Sequence, residues 1–132
     1  MVAASIEYLV RQRAGERCEY CHMPQAAHVQ SFHIDHILAN QHIIDDGMEN
    51  LALACFRCNG FKGTNVAGVD PLTRKLVRLF HPRLDRWDEH FRQEDGLILG
   101  TTAIGRITVH VLNMNEWSAV RLRKALIQRN RF

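Results

Sequence analysis

Two cysteine pairs, Cys18 with Cys21 in CEYC and Cys55 with Cys58 in CFRC, constrain this chain more than any other feature. A CxxC segment turns tightly enough to aim two sulfurs at one point, and two such segments supply the four thiolates of a closed tetrahedral zinc site. A redox pair or four buried thiols are the other readings, and two matched pairs in a chain without a secretory start favour metal. Between Cys21 and Cys55 lie 33 residues, more than a simple zinc ribbon holds, so the clasp encloses a substantial insert. Folding is expected to depend on the ion, because metal binding and folding are coupled in such sites.

At 132 residues the chain suits one domain with a modest core. No apolar run approaches the roughly 18 residues of a membrane span. The N-terminal MVAASIEYLV lacks the basic start and long apolar stretch of a secretory signal, so a cytoplasmic protein without a membrane is expected.

Charge is uneven: residues 1–70 sum to −3 and residues 71–132 to +6. After Glu116 come Arg121, Arg123, Lys124, Arg129 and Arg131 without an acid, a run that fits either a phosphate backbone or a solvated helix face. Four zinc-bound thiolates would add a formal −2, so the chain's +3 overstates the basicity of the loaded protein.

Apolar spacing predicts a helix over 4–13 that Gly15 ends. SFHIDHI reads as a strand, ANQHIIDDGMEN as a loop, and 63–71 as a turn-rich passage closed by Asp70 and Pro71. LVRLF suggests another strand, and WDEHFRQEDGLILGTT a hairpin turning at Asp95 and Gly96. Thr101 or Thr102 then caps a helix reaching Asn113, and a last helix runs from about Glu116 to Arg129.

Asp35, His36, Asn50, Asn59 and Lys62 lie between and just after the knuckles. Their groups suit metal-assisted phosphodiester cleavage, which needs a base for water, a Lewis acid near the phosphate and groups that position both. Asp35 and Asn59 offer hard oxygen ligands of the kind magnesium or manganese takes, with nickel or zinc also able to serve. His36 is the candidate base. Adjacent strand residues face opposite ways, so the site is expected where the strand ends or twists.

FHIDHI followed by GMENLALACFRCNGFKG resembles the HNH endonuclease family, in the HNN-type variant braced by a four-cysteine zinc knuckle pair. The resemblance implies an α+β fold with a ββα-metal core over roughly residues 15–67. It makes Asp35 and Asn59 catalytic-metal ligands, His36 the catalytic base, and Asn50 the residue that orients hairpin and base. The whole is expected to be one domain, 1–132, with residues 68–132 adding a strand hairpin and C-terminal helices. The implied activity is endonucleolytic hydrolysis of DNA, double-stranded above all, leaving 5′-phosphate and 3′-hydroxyl ends.

His33, Arg57 and Lys62 are secondary candidates for nucleic-acid contact. His22, His28 and His42 read as surface residues, and Trp87, His90 and Phe91 as strand core rather than a base-stacking platform. A noncatalytic zinc module that binds nucleic acid or protein is the rival class, and an RNA-directed nuclease would share the chemistry.

Overall fold

The computed structural model describes residues 2–132. Helix α1 spans Ala4–Arg13, and Gly15 follows with φ +65°, which turns the chain toward the first knuckle. Arg11 donates to the Phe32 carbonyl at 2.7 Å, and Arg13 to the carbonyls of Met48 and Leu51 at 2.9 and 2.5 Å. The helix is thereby fastened across the base of the central hairpin.

That hairpin pairs β1 (His33–His36) antiparallel with β2 (Leu51–Ala54), in a register that sets His33 opposite Ala54 and His36 opposite Leu51. All four β2 residues are buried, which explains why LALA has no polar alternation. Phe32 and Ile37 bury on either side of β1 and anchor it. Helix α2, Phe56–Lys62, follows at once: the Cys55 sulfur accepts the Cys58 N–H, so the second knuckle doubles as the helix N-cap. Two strands and a helix give the ββα order that the resemblance implies.

Two further hairpins complete the sheets: β3 (Ala67–Val69) with β4 (Leu76–Arg78), and β5 (Phe91–Glu94) with β6 (Leu97–Gly100). Asp95 and Gly96 both have positive φ, the conformation a two-residue hairpin turn requires. Helices α4 (Ala103–Val111, capped by Thr102) and α5 (Trp117–Gln128, capped by Glu116) close the chain. A Cβ on Gly105 would collide with the His90 carbonyl oxygen, so glycine lets α4 start directly against the last hairpin. Among the described residues no helix is long and apolar enough to cross a membrane.

Two local expectations change. The passage 63–71 contains β3, a strand too short and glycine-rich to show a period. WDEH is a helical turn, α3 (Trp87–His90), and the hairpin begins only at Phe91. Asp88 and Glu89 sit in its first turn, where acids suit a helix start. Phe91 is core, as expected, whereas Trp87 is half-buried.

Residues 68–132 grip both knuckles. Trp87 Nε1 donates to the Tyr20 carbonyl at 2.8 Å, Arg83 pairs with Glu19, and Arg57 pairs with Glu116 at 2.9 Å. One apolar cluster runs from Val10 and Phe32 through Leu51 and Leu53 to Phe80, Phe91, Ile107 and Met114. The extension therefore shares its core with the zinc-braced half.

Candidate metal centre and nuclease site

All four cysteines are buried, and their sulfurs lie within 4.8 Å of one another. Zinc–sulfur bonds of about 2.3 Å place the corners of a tetrahedron about 3.8 Å apart, and Cys21 and Cys55 have their sulfurs at 3.7 Å. Each knuckle turns on the same contact: the Cys21 N–H points at Cys18 Sγ at 3.5 Å and the Cys58 N–H at Cys55 Sγ at 3.4 Å.

A bound cation would change the electrostatics of the four sulfurs. Burial pushes the Cys18 thiol well up, and bonding to the Cys18, Cys21 and Cys55 sulfurs pushes Cys58 up, while those same kinds of contact hold Cys55 far down. The protein alone thus favours a thiolate at Cys55 and opposes one at Cys18 and Cys58; a divalent ion at the centre removes that opposition. The cluster has the geometry and chemistry to hold zinc.

Next to it lies a second polar cluster. Tyr20, between the cysteines of the first knuckle, is fully buried and donates its hydroxyl to Asp35 Oδ2 at 2.7 Å. Asp35 is itself buried on β1, paired opposite Ala52. Its carboxyl is raised from the ordinary value by burial, an effect that Lys62, Tyr20 and His36 oppose.

Lys62 is not where a phosphate-contacting lysine was expected. It is 1% exposed, and its ammonium lies 3.2 Å from Asp35 Oδ1, 3.2 Å from Oδ2 and 3.1 Å from the His36 carbonyl oxygen. Asn59, one turn earlier on α2, is half-buried, and its side-chain amide makes no hydrogen bond among the described residues.

His36 is half-buried, with Nε2 2.7 Å from Asp46 Oδ1. Asp46 belongs to the loop that sequence reasoning treated only as a turn; the DDG run that marks the turn also carries this carboxylate. Asn50 is buried and staples that loop: Oδ1 accepts the Leu38 N–H at 2.8 Å, while Nδ2 donates to the carbonyls of Leu38 and Asp45 at 3.0 and 2.8 Å. The staple sets where Asp46 meets His36.

The secondary candidates divide. His33 is exposed, 6.2 Å ring to ring from Phe56 on α2. Arg57 is half-buried between Glu116 Oε2 and Ser118 Oγ rather than free. His22, expected at the surface, stacks on Trp87 at 4.1 Å, and burial lowers it to about 4. His28 is half-buried, and His42 is exposed with Nε2 3.0 Å from the Thr64 carbonyl oxygen. Arg123, read in a basic surface run, is fully buried.

Comparison with known proteins agrees with this geometry. The model of the HNH endonuclease family matches residues 18–65. The chain is 24% identical over 113 residues to the Septu protein PtuB of Bacillus thuringiensis, a match that takes in 84% of the chain and 41% of PtuB. It therefore spans about two fifths of that relative's length. No solved structure matches. The segment from the first knuckle to just beyond α2, residues 18–65, is a domain of the HNH endonuclease family.

Proposed function

We propose that the chain is a metal-dependent endonuclease that hydrolyses phosphodiester bonds in DNA, leaving 5′-phosphate and 3′-hydroxyl ends. The observation that carries this reading is the His36–Asp46 contact at 2.7 Å beside a buried carboxylate on the same strand. If Nε2–H donates to Asp46, Nδ1 keeps its lone pair and is free to act as a base. Asp46 favours that tautomer and stabilises the imidazolium formed when His36 takes a proton from water.

The donor set fits a hard divalent ion. Asp35 already attracts a cation, the ammonium of Lys62, and Asn59 brings an amide oxygen without a competing hydrogen bond among the described residues. Magnesium or manganese held by Asp35 and Asn59 would stabilise charge developing on the phosphate and the departing 3′ oxygen. Tyr20 and Asn50 hold the carboxylate and the loop that carries Asp46 in place, which keeps the reacting groups aligned. A cytoplasmic location and a double-stranded DNA substrate belong to the same reading.

The Lys62–Asp35 pair also favours a second reading, a noncatalytic zinc module that binds nucleic acid or protein and whose carboxylate is permanently neutralised. The two separate on zinc-loaded protein incubated with supercoiled plasmid, single-stranded DNA and structured RNA in magnesium, manganese or nickel. Nicked and linear plasmid is expected only with a divalent ion, and a loss of about a hundredfold or more in His36→Ala at matched folding. Cleavage that survives the substitution, or none with any ion, sinks the enzymatic reading; preferred cleavage of RNA moves the substrate class.

A further inference from the structure

The Lys62 ammonium donates to Asp35 Oδ1 and to the His36 carbonyl oxygen, and it also lies 3.2 Å from Asp35 Oδ2 as an ion pair. With the Tyr20 hydroxyl on Oδ2, the carboxylate is enclosed, and the lysine and aspartate side chains are 2% and 4% exposed. An ion coordinated at about 2.1 Å from the same carboxylate would sit against a full positive charge with little water between them.

We propose that Lys62 is the resident counter-ion of Asp35 in the metal-free protein, and that a divalent cation reaches Asp35 by displacing its ammonium. The inference rests on the reading of Asp35 as a metal ligand and adds what stands in the way. Lysine chemistry allows this, since a compact charge on a four-carbon stem withdraws without unfolding its helix. Lys62 is the last residue of α2, followed by Gly63 with φ +51° and by exposed Thr64 and Asn65, so the withdrawn ammonium emerges at a helix end. Metal loading thereby turns a buried lysine into one presented to solvent, where phosphate is the matching partner. The nucleic-acid contact that the sequence suggested for Lys62 becomes conditional on the metal.

The chain has three lysines, and Lys75 and Lys124 are exposed, so they calibrate an amine-labelling experiment on the native protein. Zinc-loaded chain is treated briefly with an acetylating reagent with and without manganese, and each site is read by mass spectrometry. Lys62 is expected to label about tenfold faster with manganese bound, while Lys75 and Lys124 stay constant. Unchanged Lys62 labelling, with bound manganese verified by electron paramagnetic resonance, overturns displacement.

Manganese affinity supplies the second arm. Lys62→Met is expected to bind manganese about tenfold more tightly than the native chain, and Asp35→Asn to lose the site. Native or weaker affinity in Lys62→Met, with binding lost in Asp35→Asn, overturns the displacement and leaves the nuclease reading standing. Native affinity in Asp35→Asn overturns the ligand assignment itself, and the displacement with it.

Discussion

The hydroxyl of Tyr20 donates to Asp35 Oδ2 across 2.7 Å, and Tyr20 lies between the two cysteines of the first zinc knuckle. The structural metal centre and the proposed catalytic carboxylate are thus one side chain apart. Removing only the hydroxyl, in Tyr20→Phe, spares the ring and both cysteines. Zinc content and fold are expected to stay native by elemental analysis and circular dichroism, while manganese affinity and plasmid cleavage fall by about tenfold. Equal losses of zinc and activity would instead mean that the hydroxyl serves the fold.

Asp46 is about half exposed, yet its carboxylate sits 2.7 Å from His36 Nε2. Asp46→Asn keeps the shape and removes the charge that favours the imidazolium. Cleavage is expected to fall by about tenfold to a hundredfold in kcat, with KM for plasmid nearly unchanged. A rise in KM at constant kcat would assign Asp46 to substrate binding.

These two residues show where sequence stops being readable. The cysteines were legible because chelation by a turn imposes a short, recognisable spacing, and both pairs converge on one point. Asp35, His36, Asn50 and Asn59 stand in the sequence as an ordered pattern, and the fold joins Asp35 and the His36 carbonyl through Lys62 and ties Asn50 to the loop that follows His36. Asp46 was not legible, because acids beside glycine mark a turn in any loop. Lys62 and Arg123 were misread for a general reason: long cations are exposed by default, and only tertiary partners, Asp35 for one and backbone carbonyls for the other, reveal burial. Strand β3 escaped because three residues are too few to display a period.

Asp70 ends β3 fully buried, and Arg106 on α4 grips both its oxygens at 3.1 Å while Thr73 and Leu72 add further donors. Hydrogen bonding by Arg106, reinforced by Thr73 and Leu72, holds this carboxyl well below the usual range. A depressed folded-state pKa contributes stability that is fully present above the unfolded value near 4, and that fades as pH falls toward the folded value. Asp70→Asn is therefore expected to lower Tm by several degrees at pH 7, and the gap from native protein to narrow below pH 4. Melting curves between pH 3 and 7 that run parallel would show that the charge contributes nothing.

Arg123 is fully buried on α5 without a carboxylate partner among the described residues. Its Nε donates to the Gly96 carbonyl at 2.6 Å, and Nη2 to the Met114 carbonyl at 2.6 Å and Asn115 Oδ1 at 3.1 Å. One guanidinium thereby joins the last hairpin turn, the α4–α5 connection and α5. Burial draws it below its ordinary pKa, and the Cys21, Cys58 and Cys55 thiols are among the groups that oppose the shift, so it lies within the field of the metal centre. Arg123→Met strands those acceptors and is expected to cost about 3 kcal/mol in urea unfolding. Arg123→Lys keeps the charge but not the fork, and is expected to recover less than half of that loss. Full recovery by lysine would assign the effect to charge beside the thiolates; equal loss in both would assign it to the hydrogen-bonded fork that ties the C-terminal half together.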